Sequence, residues 1–511
     1  MPHKTLASIA QIFNFKTTPK KKIMLENALI SEMSQESESI NRMEPIDNIV
    51  YNTFVKKFNN EYGGKLLEEQ KDFRMELLEG RAVATGNFLS QEIGLLILLT
   101  RSVHCSLGKT GISEDFFKYL IKCLSKRISP AIPEFGSIGA GDLTQNAHFG
   151  LSLLGKGKLW KNKKVINADK VLKEEKLLIP KIKGKDTMVL LNHSSLSIVL
   201  SALAIRETKT CIKMIQLASL MSLEAFGANP QIFHPKINNI RKSPGQKRIA
   251  SWFYNILSPT KVMPRRIQDP LSFRTISVVL GMSIFNLTQS INILENELNG
   301  ISDSPVILKD NNVCSTPNFH NPALAISMES ISLNNSMLAN GSVQRMQRMM
   351  DSKISGLPNY LSPIGGQSAG FVPSQKTAVS LLAEIKQHSL PISFDTVPVS
   401  EGVEDTSSMT PASAKKLSNQ SKLMKLVAGL ECLVASQAID LRYGQNKNFD
   451  NLSSITKKLW QTVRKKIDKI DKDRPMEGDI NNCTNILEKF VLDENINLLM
   501  TKKESKIWNQ I

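Results

Sequence analysis

The residues best placed to do chemistry lie in the run Gly136-Ser137-Ile138-Gly139-Ala140-Gly141-Asp142-Leu143. Its glycines let backbone N–H and C=O groups turn outward, and a hydroxyl and a carboxylate stand among them. One chemistry for such a loop is to cradle a phosphate. The run lacks both the Lys-Ser/Thr ending and the Gly-x-Gly-x-x-Gly order of phosphate-binding loops, so that reading is weak. Six cysteines (Cys105, Cys123, Cys211, Cys314, Cys432, Cys483) are scattered without close pairs, which signals neither a zinc site nor a disulfide framework. No metal is expected, and the thiols read as reduced and cytoplasmic.

The elements that must position this loop are helical. Between Leu417 and Leu441 the apolar residues Leu423, Leu426, Val427, Leu430, Leu433, Val434 and Ala438 recur at spacings of three and four, the stripe of a buried helix. Leu196 to Ile205 and Ile284 to Leu298 read the same way. Little of the chain shows strand alternation. The expected fold is mainly α, a bundle of long helices with an irregular N-terminal lobe carrying the loop. Glycine- and proline-rich stretches at Pro130 to Gly141, Gly356 to Gly370 and Pro391 to Thr410 interrupt the helices, as segments that hold functional groups tend to do. The expected divisions are an N-terminal extension over 1–45, the lobe over 46–205, the central bundle over 206–442 and a helical cap over 443–511.

At 511 residues and 41% hydrophobic, the chain can bury a large core. Its longest apolar runs fall short of the ~20 residues that span a bilayer, and no membrane association is expected. The net charge of +18 is spread over helical segments and tails, with only 6% aromatic residues. That reads as a solvated basic surface rather than a nucleic-acid groove, and leaves open a basic patch facing an acidic substrate.

The loop resembles the active-site loop of the aromatic amino acid ammonia-lyases, Gly-Ser-Val/Ile-Gly/Thr-Ala-Ser-Gly-Asp-Leu, with one residue removed. Further blocks follow in that family's order: Leu99-Thr100-Arg101, Ala147-His148, Leu190-Leu191-Asn192, Gln268-Asp269-Pro270-Leu271, Asn318-Phe319-His320, Ser393-Phe394-Asp395-Thr396 and Ala438-Ile439-Asp440-Leu441-Arg442. The resemblance implies a homotetramer of long helices whose active sites each draw on three chains. It implies elimination of ammonia from an amino acid, or its 2,3-migration, on a methylidene-imidazolone formed from Ala-Ser-Gly. It also assigns roles. Arg274 matches the carboxylate-binding arginine, whose planar fork suits a carboxylate. Asn192 matches the asparagine that hydrogen-bonds prosthetic group and substrate, Gln268 and Phe319 line the pocket, and Glu404 faces the substrate amino group. Ala140, Gly141 and Asp142 form the prosthetic loop. Counting back from Arg101 places the base tyrosine at Tyr51; a rival register around Tyr62 remains open.

Three departures qualify the match. Ala140 is followed directly by Gly141, so the serine whose Cβ supplies the methylene is missing, and no prosthetic group is expected. Leu271 stands where the family has a tyrosine. The position of the substrate-selecting histidine falls on Arg81, which suits an acidic group better than an aromatic ring, or else points to solvent. Two readings follow: a carbon–nitrogen lyase or aminomutase-like enzyme with an altered loop, or an inactive relative that keeps the tetramer and a carboxylate pocket for binding.

Overall fold

The computed structural model describes residues 73–183, 185–260, 264–308, 313–393, 396–444 and 448–509. Tyr51 and the rival register around Tyr62 lie outside them. The fold is mainly α, dominated by the helices Ser195–Phe226, Ile276–Asn299, Pro322–Met350 and Thr410–Tyr443. Each apolar stripe read from the sequence falls in one of these. In Thr410–Tyr443 burial goes beyond a stripe: residues 427–439 are all buried, so the polar members of that stretch need partners inside the protein.

The chain forms two compact units. The first comprises the chain up to Ala202, to which Asn292–Ala325 and Ile392–Ala412 return. Its strands are short. One hairpin pairs Lys158–Lys161 with Lys164–Asn167, turning at Asn162 and Lys163 with φ of 52° and 62°, the left-handed pair that a two-residue hairpin requires. The helix Gln91–Ser106 starts at Ser90, whose hydroxyl accepts from Ile93 N. Its buried face carries a charge: Arg101 pairs bidentately with Asp303 at 2.8 and 2.6 Å, both fully buried. Lys185 Nζ stands 3.8 Å from the same carboxylate and donates to the carbonyl of Thr110 at 2.6 Å. Burial lowers the Lys185 pKa to about 8 and, with Arg101 adding repulsion, that of His104 to about 4. Two cations therefore share one buried carboxylate.

The second unit comprises Leu203–Ile291, Ile326–Pro391 and Ser413–Ile511. Here Arg345 meets Glu431 through Nε at 2.6 Å and Nη2 at 3.0 Å, and Ser222 donates to the same carboxylate at 2.7 Å. This answers the demand set by the buried stretch of Thr410–Tyr443. The tail folds as the helices Ser454–Arg464, Glu477–Leu492 and Lys502–Asn509. Trp508, from the last of them, stacks on Trp252 at 5.8 Å between ring centres. Glu224 is fully buried and accepts from Ser453 N at 2.6 Å, Ser453 Oγ at 2.8 Å and Thr456 Oγ1, at the start of Ser454–Arg464. Two helices reach membrane-spanning length and hydropathy, but 83% of the apolar window within Asp186–Phe226 and 50% of that within Ile276–Asn299 is buried inside the protein. They serve as core helices.

Two stability predictions follow from these buried groups. Asp303→Asn leaves Arg101 and Lys185 without their counter-charge, and breaking a buried pair costs about 3–5 kcal/mol. Urea unfolding should show a midpoint lowered to match, with the slope unchanged. For Glu224, burial raises the carboxyl pKa from 4.5 to about 7 against its three donors. A raised carboxyl pKa means that folding takes up a proton. This group's contribution is therefore fully present below pH 4.5 and lost as pH rises through 7. Thermal melting of Glu224→Gln should show a flatter pH dependence across that window than the unsubstituted chain.

Candidate functional site

The loop is shaped by its glycines. Gly139 and Gly141 hold φ of 78° and 79°, and Asp142 follows at 49°, a left-handed conformation that glycine adopts freely and other residues at a cost. Space closes the same two positions. A Cβ on Gly139 would lie 2.3 Å from Ser408 Oγ, and one on Gly141 2.2 Å from Asn192 Oδ1. Ala140 between them is buried and bridges to His320.

Each flank of the loop is tied down from a different part of the first unit. Ser408 Oγ donates to the carbonyl of Gly139 at 2.8 Å, and Met409 N to that of Ile138 at 2.8 Å. Ser408 and Thr410 are in turn joined to Asn321. Asn146 Nδ2 lies 3.0, 3.0 and 2.7 Å from the carbonyls of Gly141, Leu191 and His193, gathering the loop and the Asn192 segment onto one amide. Asp142 is buried and accepts from Ser137 Oγ at 2.5 Å, Ser197 Oγ at 2.8 Å and Ser197 N at 2.9 Å. Burial raises its pKa, and these donors oppose the rise. Asp142 is thus an anchor inside the loop.

Asn192 lies against this loop. Its Nδ2 donates to the carbonyl of Ser304 at 3.0 Å, while its buried Oδ1 has no hydrogen-bond partner among the described residues. His193 beside it is fully buried, donates its backbone N–H to Gly141 at 3.2 Å, and has a pKa held well below the usual value by burial and by Arg101. Phe319 is half-buried, with its Cβ 3.7 Å from where a Gly141 Cβ would stand, and its carbonyl accepts from Ser194 Oγ at 2.8 Å.

Arg81 and Glu404 also meet in this unit. Arg81 is half-buried; burial lowers its pKa and the field of Glu404 partly restores it. No carboxylate among the described residues comes within ion-pair distance of the guanidinium, which makes a long 3.4 Å contact to the carbonyl of Leu77. The segment carrying Arg81 lies against the loop, since a Cβ on Gly136 would stand 3.0 Å from Ala84 Cβ. Glu404 is half-buried in a tight turn closed by its bridge to Val399.

The first unit therefore holds Ala140, Gly141, Asp142, Asn192, Phe319, Arg81 and Glu404. Gln268 and Arg274 fall in the second unit, where Gln268 is exposed and Arg274 Nε is buried without a partner among the described residues. Arg274 ends the short helix Leu271–Arg274, beside a cavity of about 280 Å³ lined by Leu271, Ser272, Thr275 and Met337. The sequence reading missed Asp303, Lys185, Asn146 and Ser408. Only Asp303 left a trace, as a carboxylate just before Ser304-Pro305 and a short way ahead of Phe319. The methylidene-imidazolone needs a β-carbon between Ala140 and Gly141. The loop has none, and Asn192 Oδ1 occupies the space beside Gly141, so these residues do not fit the group.

A sequence profile described as aromatic amino acid lyase matches residues 6–465. The chain is 31% identical over 445 residues to histidine ammonia-lyase 1 of Fusobacterium nucleatum, covering 86% of each. It is 31% identical to histidine ammonia-lyase of Treponema denticola, covering 83% of each. Among solved structures it is similar to histidine ammonia-lyase from Trypanosoma cruzi, with a TM-score of 0.79, 26% identity and 92% of each chain covered. It is also similar to the ergothioneine-degrading enzyme ergothionase from Treponema denticola, with a TM-score of 0.81, 25% identity, and 89% of this chain and 94% of that one covered. On the profile match and these relatives, the chain belongs to the aromatic amino acid lyase family of carbon–nitrogen lyases.

Proposed function

We propose that the chain is an ammonia-lyase or aminomutase-like enzyme that takes the amino group from an amino acid bound against the Gly136–Asp142 loop. The observation that carries this reading is that Asn192 and Phe319 lie against Gly141 of that loop, with Asn192 Oδ1 lacking a hydrogen-bond partner among the described residues, while Arg81 and Glu404 feel each other's charge in the same unit. In the reading, Asn192 Oδ1 accepts a hydrogen bond from substrate, and Glu404 handles the proton of the departing amine. By the family resemblance, Arg274 is assigned the α-carboxylate and Gln268 the pocket lining, in an assembly whose active sites each draw on more than one chain. Tyr51 is assigned the base. A phenol with a pKa near 10 needs a nearby cation to act at neutral pH.

The working form is proposed to be a soluble, cytoplasmic homotetramer. Support comes from an apolar stripe on Pro322–Met350, where Ile326, Leu333 and Met337 are 63%, 60% and 60% exposed at helical spacing, and from Met282 and Phe285 exposed on Ile276–Asn299. Bare apolar stripes of this kind mark association surfaces. Nucleic acid and membrane have no part in the reading.

Two measurements test it. Ammonia release by the purified protein from a panel of acidic and aromatic L-amino acids should be lost in Glu404→Gln by about 10²–10⁴-fold in kcat, the usual worth of general acid–base catalysis. In Arg274→Ala it should weaken mainly through KM, by about tenfold or more for one charged hydrogen-bond pair. Absence of release from every substrate ends the enzymatic reading. For the assembly, light scattering should give four times the chain mass, and Leu333→Glu should give a smaller species.

A further inference from the structure

Resting on the proposed ammonia-lyase reading, we propose that the substrate carries its own activating group, a carboxylate on the carbon that loses the proton, and that Arg81 binds that carboxylate. The substrate class is then a β-carboxylated (aspartate-like) amino acid rather than an aromatic one.

The first observation is what the loop lacks. With Ala140 joined to Gly141 there is no β-carbon from which an electrophile can form, and Asn192 Oδ1 would stand 2.2 Å from a Cβ added at Gly141. The loop is closed to that chemistry by composition and by space. An amino acid with an aromatic or imidazole side chain has a β-C–H bond that is scarcely acidic. Each unit of mismatch between that bond and the base adds about 1.4 kcal/mol to the barrier. A protein base working near neutral pH cannot close such a gap without an electrophile. Either the protein or the substrate must supply the acidity, and this loop does not.

A carboxylate on the β-carbon does supply it. Its carbonyl lies next to the departing proton, so the electron pair left behind spreads onto the carboxylate oxygens. That dianionic group forms only where cationic donors face it. The balance is simple. The base removes the β-proton, the electron pair forms the Cα=Cβ bond, the C–N bond breaks, and the nitrogen leaves as ammonia, taking its proton through Glu404. The products are an α,β-unsaturated dicarboxylate and ammonium, with no oxidant or reductant.

The second observation is Arg81. It occupies the position that selects the substrate side chain in the family resemblance, is half-buried, and lies on a segment packed against the loop. Among the described residues it has no carboxylate within ion-pair distance, and its donors make only the 3.4 Å contact to Leu77. A guanidinium fork that is partly desolvated and unclaimed is suited to a bidentate carboxylate, and desolvation strengthens the attraction. Burial lowers the pKa of His148, and the backbone of Ala82, next to Arg81, opposes that shift. Glu404, whose field reaches Arg81, orients an incoming ammonium toward itself and the second carboxylate toward the arginine. The net charge of +18 favours a substrate of net negative charge, as a dicarboxylic amino acid is, at the stage of encounter.

The experiment compares ammonia release from L-aspartate and L-threo-3-methylaspartate with release from L-histidine and L-phenylalanine. It uses the full chain, Arg81→Gln and Arg81→Lys, with the mass of the loop peptide measured in parallel. The expected result is kcat/KM at least tenfold higher for the dicarboxylic substrates. In Arg81→Gln, kcat should fall by more than KM rises, with partial recovery in Arg81→Lys. Succinate should raise the melting temperature of the full chain but not of Arg81→Gln, a readout independent of turnover that also shows the variant is folded. The loop peptide should have its unmodified mass. Preference for histidine or phenylalanine overturns this inference and leaves the ammonia-lyase reading standing, as does an aspartate rate unaffected by Arg81→Gln. A loop peptide lighter by the mass of water overturns its premise. No ammonia from any of the four overturns it along with the reading beneath it.

Discussion

The site of this protein hangs on one buried carboxylate. Asp303 holds Arg101 in a two-pronged pair and has Lys185 3.8 Å away, all buried in the interior. Its backbone neighbours then do the aiming. Ser302 Oγ accepts from Ser194 N at 3.0 Å, and the carbonyl of Ser304 accepts from Asn192 Nδ2 at 3.0 Å. Thr316 Oγ1 donates to the carbonyl of Asp303 at 2.6 Å, drawing in the segment that ends at Phe319. An apolar pair of the same volume would fill the space, often with no loss of stability. It would not fix the direction of the Ser302 hydroxyl and of the two carbonyls that follow it. The charge is retained where orientation matters, and what it orients is Asn192.

The second constraint is the length of the loop. Between Gly136 and Asp142 the chain must leave Pro133–Phe135, turn, and enter Leu143–Leu153 with its carbonyls delivered to Asn146 and Ser408. It does so with left-handed glycines at 139 and 141. Shortened by the residue that would carry a β-carbon, the loop brings its backbone against the Asn192 amide, so the polar atoms of Asn192 and the glycine backbone now face each other directly. The loop thereby closes the space that a β-carbon at Gly141 would take, and under the reading proposed here the burden of activating a C–H bond shifts from protein to substrate.

Much of this was legible in the sequence, for uneven reasons. Helices were legible because the apolar spacing of Thr410–Tyr443 reports burial directly, although the complete burial of 427–439 was not, since Glu431 reads as a solvent-facing residue until Arg345 is placed beside it. The Gly136–Asp142 loop and Asn192 were singled out by their resemblance to a family's motifs, and they do lie side by side. Asp303, Asn146 and Ser408 were not, because each acts through partners distant in the chain: Asp303 is 202 residues from Arg101, and Ser408 is 269 from Gly139. Single-sequence patterning carries local periodicity and says nothing of such pairs. The return of Asn292–Ala325 and Ile392–Ala412 to the first unit is hidden for the same reason, though without it the loop would lose Phe319, Asn321 and Ser408 together.

The energetics of the loop argue that its shape is kept for a ligand. Asp142 holds a left-handed backbone that costs a non-glycine residue roughly 1–2 kcal/mol. Asn192 Oδ1 is buried without a partner among the described residues, which costs about 1–3 kcal/mol when nothing replaces the lost water. Neither cost serves the helices around them. Leu143–Leu153 would start as well from an extended Asp142, whose side chain makes no cap bond to that helix. A chain that had given up binding would be free to relax both, since most substitutions at an idle loop are tolerated. Instead Ser137, Ser197, Asn146, Ser408 and Asn321 are all committed to holding the strained form. Strain and an unpartnered acceptor are held side by side by five anchoring residues, which is what the binding site proposed here requires.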